Sequence, residues 1–407
     1  MSMKNYVTIN PCKMCQPMGA IMAINGIKDS MSLLHGSQGC ATYMRLHLAH
    51  HFEEPFDVAS SAMNEKAAIY GGREQLLTAI ENVIKGYSPS LLAIITTCLT
   101  ETIGDNVEAI VKEYKQKNHV DTEIITISTP SYGGGHIYGY EKAVYELIKH
   151  FTSGVIKNRE DEFINIFIGE GFSPADVRNL KKILQSLKIE AVIIPDISES
   201  FDKPFGICKC NNGTNISDIK RTPHAKRSIV FGKGGLKAAE YLYDKFGVTF
   251  ISLPYPIGIK NTDMLYNILM DMTGSVLYIK ERSRLVDAMV DCHKYLSGKK
   301  TVIYGEPDLV SGILSFCLEL GMKPVLVAMG DATSEFFEEV RDVLKGYDNQ
   351  CLMLFGNDFD EMERKIEKLK PDIMIGNSNG RRISEKLNIP LVRVGFPIHD
   401  RVGGSRI

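Results

Sequence analysis

From residue 91 onward the chain repeats one pattern: an apolar run, a short turn bearing glycine or acid, then a stretch with apolar residues at helical spacing. Leu91-Leu92-Ala93-Ile94-Ile95-Thr96-Thr97 is continuously apolar and β-branched before its threonines, which predicts a strand buried on both faces, as in a parallel sheet. Asn106 to Lys115 predicts a helix with Val107, Ile110, Val111 and Tyr114 on one side, and Ile124 to Ile127 the next strand. The alternation resumes with Phe163 to Ile168 as a strand. Ser173-Pro174-Ala175-Asp176 then starts a helix, because serine caps free amides and proline is preset for the first helical position. Strands follow at Ala191 to Ile194, Ser228 to Phe231 and Thr249 to Ser252. A last series has helices at Ser283 to Tyr295 and Leu309 to Leu320, with strands at Thr301 to Tyr304, Pro324 to Ala328, Cys351 to Leu354 and Asp372 to Ile375.

Alternation of this kind predicts an α/β fold of three doubly wound, Rossmann-like domains with mostly parallel sheets, at residues 1–155, 156–278 and 279–407. A length of 407 residues agrees, being too long for one ordinary core. The fractions, 44% hydrophobic and 24% charged, are those of a globular chain, and a net charge of −2 carries no polyanion-binding signature, so nucleic acid is not an expected partner. With no run of about 18 apolar residues and no apolar core after Met1, neither a membrane span nor a signal peptide is expected, and the predicted location is the cytoplasm.

Nine cysteines in such a chain argue against a disulfide framework and for metal or cluster chemistry at some of them. Cys15, Cys40 and Cys98 each sit at or beside a turn, within Met14-Cys15-Gln16-Pro17-Met18-Gly19, His35-Gly36-Ser37-Gln38-Gly39-Cys40 and Thr96-Thr97-Cys98-Leu99-Thr100-Glu101. Soft thiolates gathered from three loops suit an iron–sulfur cluster, since each loop can aim one sulfur inward. Cys292, Cys317 and Cys351 stand in apolar contexts and are expected in cores, while Cys208 and Cys210 form a C-x-C pair in a polar loop with no third ligand nearby. Cys12 makes Cys12-Lys13-Met14-Cys15, but no second pair follows to complete a zinc site, and Pro11 and Pro17 bracket it unlike a redox dithiol. Extra ligand, substitute ligand and inert thiol all stay open for Cys12. The glycine-rich turns lack both the G-x-G-x-x-G and the P-loop spacing, so no nucleotide cofactor is expected. His47 and His51, four apart on a helix, would share a face without the general base of a zinc protease, and His35 is expected to order the turn before Cys40 through hydrogen bonds.

The words around the three cysteines resemble the β-type subunits of the nitrogenase component 1 family. The resemblance continues through Ser60-Ser61-Ala62-Met63-Asn64-Glu65 to Gly71-Gly72, Thr129-Pro130-Ser131-Tyr132-Gly133-Gly134-Gly135-His136, Pro256 to Asp263, and Val392 to Arg401. It implies that Cys15, Cys40 and Cys98 hold an iron–sulfur cluster, of [4Fe–4S] or [8Fe–7S] type, shared with an α-type partner chain. It implies Ser131 as a residue able to approach the cluster on oxidation; Gly39, Gly71 and Gly72, lacking side chains, are expected to allow close backbone approach near it, and Cys12 is the further candidate ligand. The implied assembly is a heterodimer paired into a heterotetramer, with electrons from an ATP-dependent iron protein and no activity from the isolated chain. The segment ending in Gly403-Gly404-Ser405-Arg406-Ile407 precedes further helices in the family, so a shortened sequence is expected, its first domain completed by those helices. Within the family the sequence favours the scaffold on which the iron-molybdenum cofactor matures, with transient contact to its precursor. The alternatives are the β chain of a nitrogenase or nitrogenase-like reductase, and a cluster-free structural partner.

Overall fold

The computed structural model describes residues 12–203, 212–276, 279–331, 334–347, 350–356 and 358–402. Cys208, Cys210 and the Gly403 to Ile407 end lie outside the described residues. The chain builds three parallel sheets separated by helices, the predicted α/β architecture. The first contains β1 (Ser30–His35), β2 (Val58–Ser60), β3 (Leu91–Thr96) and β4 (Glu123–Ile127) in the order β2-β1-β3-β4. The second contains β5 (Asp161–Phe167), β6 (Ala191–Ile194), β7 (Ala225–Phe231) and β8 (Phe250–Leu253) in the order β6-β5-β7-β8. The third contains β9 (Lys300–Gly305), β10 (Lys323–Met329), β11 (Leu352–Phe355), β12 (Ile373–Gly376) and β13 (Leu391–Arg393) in the order β11-β10-β9-β12-β13. Two compact units result. Residues 15–252 carry the first two sheets apart from Leu253, the last residue of β8, and residues 253–402 with 12–14 carry the third.

Local chemistry explains the elements. The helix Pro174–Ser186 begins with the predicted cap, Ser173 Oγ accepting from the Asp176 amide while the Asp176 carboxylate accepts from the Ser173 amide. Asn106 caps Val107–Lys117 by accepting from the Ala109 amide. Val107, Ile110, Val111 and Tyr114 are buried as predicted, against Leu33 and Ile94 of adjacent strands. In the third sheet alternate residues feed opposite cores: Val302, Tyr304, Leu326 and Ala328 enter one cluster, and Ile303, Val327 and Met329 the other. Among the described residues no helix is long and apolar enough to cross a membrane.

β1 and β2 were not expected from the sequence. Every residue of β1 is buried, including Ser30 and Ser32, and the Ser30 hydroxyl lies 2.7 Å from the Ile24 carbonyl and 2.8 Å from that of Ile27. Its serines interrupt the apolar run that marked β3.

Two backbone contacts fix how the helix Gln16–Asn25 lies on His136–Thr152. A Cβ placed on Gly19 would stand 1.8 Å from the His136 carbonyl oxygen, and one on Gly139 would stand 1.9 Å from that of Gln16. Only glycine permits this approach. Gly139→Ala should therefore lower the stability of the 15–252 unit by about 1–3 kcal/mol, measured by thermal unfolding. Gly154→Ala is the control, because a Cβ on Gly154 would have nothing within 4 Å. An unchanged midpoint in Gly139→Ala would refute the contact.

Candidate metal centre

Strand order decides where the sequence-predicted residues emerge. β1 pairs with β3 and β3 with β4, all parallel, so the turns after these three strands leave the same edge of the first sheet. After β1 come Gly36 and Ser37, then the helix Gln38–Phe52 with Cys40 in its first turn. After β3, Thr97 caps the helix Cys98–Ile103, so Cys98 is its first residue. After β4 comes the turn Ser131–Gly133. Cys15, at the start of Gln16–Asn25, reaches this edge through an antiparallel bridge to Gly135, while the Ser131 hydroxyl oxygen accepts from the Gln16 amide at 3.2 Å. Ser131 thereby supplies the capping acceptor that the Cys15 side chain does not. Tyr43, one turn beyond Cys40, has its phenol raised in pKa by burial and then by the Cys15 thiolate, a link between Cys15 and the helix of Cys40.

Cys15 and Cys98 are exposed, Cys40 is half-buried, and none of the three is in a disulfide. The Ser37 hydroxyl points at the Cys40 sulfur at 3.7 Å. Among the described residues a Cβ on Gly39 would meet only Ser37 Oγ, at 3.9 Å, so the space beside Gly39 is open with respect to them. Gly36, in contrast, is pressed on the next turn: its Cβ would stand 2.4 Å from Thr97 Oγ1. The turns of Cys40 and Cys98 are thus in backbone-to-side-chain contact.

Beneath them lies a buried polar network that sequence reasoning met only at His35. His35 is fully buried. Its Nδ1 is 2.9 Å from Ser61 Oγ and its Nε2 is 3.2 Å from Asp105 Oδ2. Asp105 also accepts from the Gly72 amide, and the His35 carbonyl accepts from the Thr97 hydroxyl at 3.0 Å. His35 is thus hydrogen-bonded, as expected, with the link to the turn before Cys40 running through Ser61. Asp105 could have been suspected only from its place directly after Gly104, which ends the helix of Cys98 in a left-handed conformation. Burial lowers the His35 pKa and Asp105 opposes that shift, so the ring is neutral at neutral pH.

Cys12 stands in the other compact unit. It is buried in the core with Val302, Tyr304 and Phe359, and a Cβ on Gly330 would stand 1.8 Å from its carbonyl oxygen. Burial, then Glu306 and Asp331, push its thiol far up, which favours the protonated, non-ligating form. Next to it in sequence, Lys13 pairs with Asp331 at 3.0 Å. Glu65 is exposed; His47 and His51 are half-buried, with the ring of His47 4.3 Å from Tyr43.

Three thiols and one hydroxyl at an exposed edge fit a polynuclear iron–sulfur group better than a single ion. Their sulfur is soft, and they come from separate turns rather than one short motif. Among the described residues no three His, Cys, Asp or Glu side chains are arranged to hold a single metal ion.

A parallel sheet edge with thiols in the turns after neighbouring strands, on an α/β frame, is the setting in which the family of this chain can be stated. The chain belongs to the nitrogenase component 1 type oxidoreductases, whose family model matches residues 15–407. Within that family it is a β-type chain. It is 37% identical to the nitrogenase iron-iron protein beta chain of Rhodobacter capsulatus over 98% of this chain and 89% of that one. It is 34% identical to the nitrogenase molybdenum-iron protein beta chain of Methanothermobacter thermautotrophicus, over 98% and 90%. The solved structure described as nitrogenase Cp1 at pH 6.5 superposes with a TM-score of 0.93 at 32% identity, covering 100% of this chain and 90% of that one.

The buried Glu306 gives a test of the third-sheet unit. Desolvation raises its pKa from 4.5 to about 7. The folded chain then binds this proton more tightly than the unfolded chain, so the stability it contributes is complete below pH 4.5 and is lost as pH rises through about 7. Across that window stability should fall by roughly 3 kcal/mol, and Glu306→Gln should flatten the slope. Denaturant unfolding at a series of pH values measures both. A wild-type slope that Glu306→Gln leaves intact would assign it to other groups.

Proposed function

We propose that this chain is the β-type half of a nitrogenase component 1 complex and holds one side of an iron–sulfur cluster, of [4Fe–4S] or [8Fe–7S] type, through Cys15, Cys40 and Cys98. The observation that carries this reading is the emergence of the Cys40, Cys98 and Ser131 turns from three adjacent parallel strands, with Cys15 bridged to the same edge. The bound group would store electrons and pass them on. The chain's own residues offer sulfur at helix starts, a serine oxygen beside Cys15, and backbone turns in contact with one another. Cys12, buried and protonated, is read as core rather than as a ligand.

Three sulfurs from one chain leave a cubane one ligand short, which calls for a second chain. The rim supports that: Tyr43, Leu46, Ile69, Tyr70 and Tyr132 are exposed large hydrophobics on the elements that carry or flank the thiols, the composition of a surface covered in an assembly. An α-type partner, pairing of such dimers into a heterotetramer, and electron delivery by an ATP-dependent iron protein complete the reading, in the cytoplasm. The sequence alone favours the cofactor-assembly scaffold. The relatives are named as beta chains of iron-iron and molybdenum-iron nitrogenases, and this moves our reading to the reducing complex itself, with nitrogen fixation as its process.

Co-purified anaerobically with its α-type partner, the wild-type chain should carry iron, and Cys40→Ala and Cys98→Ala should each cut that iron severalfold while the complex still assembles. With the iron protein and ATP, acetylene reduction should be measurable. A complex that accumulates iron and molybdenum but reduces nothing would return the chain to the scaffold role, and an iron-free complex after full iron loading would make it a structural partner.

A further inference from the structure

The network under the cysteine edge has two self-consistent arrangements, and the difference between them is one proton. With the ring neutral, Asp105 can only accept, so Nε2 carries the hydrogen and donates to Asp105, and Nδ1 accepts from the Ser61 hydroxyl. The Ser61 oxygen meanwhile accepts from the Gly36 amide at 3.0 Å. With the ring protonated, Nδ1 donates instead, and the Ser61 hydroxyl hydrogen must turn away. The acceptor within reach is the Gly36 carbonyl, at 3.4 Å, which already takes the Met63 amide at 2.9 Å. Both ends of the change therefore fall on Gly36, the residue packed onto Thr97 on one side and leading into Cys40 on the other.

We propose that His35 is a positioning residue of the cysteine edge, acting through a His35–Ser61–Gly36 relay that sets the spacing of the Cys40 and Cys98 turns and lengthens it when the ring takes up a proton. The wider surroundings suit that role. Asp105, on the turn after Cys98–Ile103, is the charged group acting on the ring among the described residues. The segment after β2 contributes neutral Ser61 and Met63, and the start of Arg73–Tyr87 contributes Gly72, whose Cβ would stand 2.7 Å from the ring. The His35 carbonyl holds Thr97 at 3.0 Å, and Thr100 lies 3.1 Å from the same oxygen, so the residue holds the Cys98 turn directly by its backbone and reaches the Cys40 turn from its ring through Ser61. Burial keeps the ring neutral until the pH falls below the ordinary imidazole value of 6.5, which places the change on the acid side.

That the spaced turns carry cluster ligands rests on the function proposed above; the relay itself does not. Amide hydrogen exchange of the full chain in its complex, corrected for the intrinsic effect of pH, should show protection of residues 36–40 and 97–100 falling by about tenfold between about pH 7.5 and 5.5. His35→Gln should remove that response, and so should the milder Ser61→Ala, which keeps the test alive if the histidine variant does not fold. Nitrogen-15 NMR of the ring should give the neutral Nε2–H tautomer at neutral pH. A wild-type chain without the acid response, a response of equal size in Ser61→Ala, or an Nδ1–H ring at neutral pH would each overturn the relay. Where iron is bound, its paramagnetic resonance signal should shift with pH in wild type and not in Ser61→Ala. An iron-free wild-type complex would sink the cluster reading while the exchange experiment still decides on the relay.

Discussion

Parallel pairing of β1, β3 and β4 is the constraint on which the rest depends. In a parallel ladder every strand ends at the same edge, so residues far apart in sequence need only follow successive strands to come together. Leu33 pairs with Ile94 and Ile94 with Thr126, and this register brings the turns of Cys40, Cys98 and Ser131 side by side. Cys15 lies outside the ladder and is recruited by other means: the glycine contact between its helix and His136–Thr152, the bridge to Gly135, and the Ser131 hydroxyl on the Gln16 amide. The edge is therefore assembled by backbone geometry, with Cys15 and Cys98 left exposed and Cys40 half-buried.

Holding exposed sulfur at fixed spacing requires order behind it. The chain supplies this with buried polar groups rather than apolar packing alone, since His35, Ser61, Thr97 and Thr100 are all buried at or below the edge. Each has a partner, so the desolvation that would destabilise an unsatisfied group is offset by directional bonds. Directional bonds fix distances more sharply than hydrophobic contact does, and the proposed cluster ligand set would need fixed distances. The exposed aromatic and aliphatic rim is the surface that the proposed partner chain would cover.

Much of this was legible in the sequence. The run Leu91 to Thr96 announced β3 because every residue in it faces a core, and Ser173-Pro174 announced its helix because capping is local chemistry. The family was legible through the words around the three cysteines. What escaped was what depends on tertiary pairing. β1 hid because Ser30 and Ser32 are buried and break the apolar run, as hydrogen bonding within the fold allows for Ser30. Asp105 hid because its partner stands 70 residues away. Cys12 sits close to Cys15 in sequence, and nothing local reveals that Gly330 and the core beside Tyr304 enclose it.

The central claim is that sulfur at positions 15, 40 and 98 converges on one inorganic group at this edge. Anomalous diffraction at the iron edge, from crystals of the anaerobic complex, tests it most directly. The account predicts iron peaks bonded to all three sulfurs at the C-terminal ends of β1 and β3. Iron located elsewhere in the complex, with these three sulfurs unbonded, would contradict it.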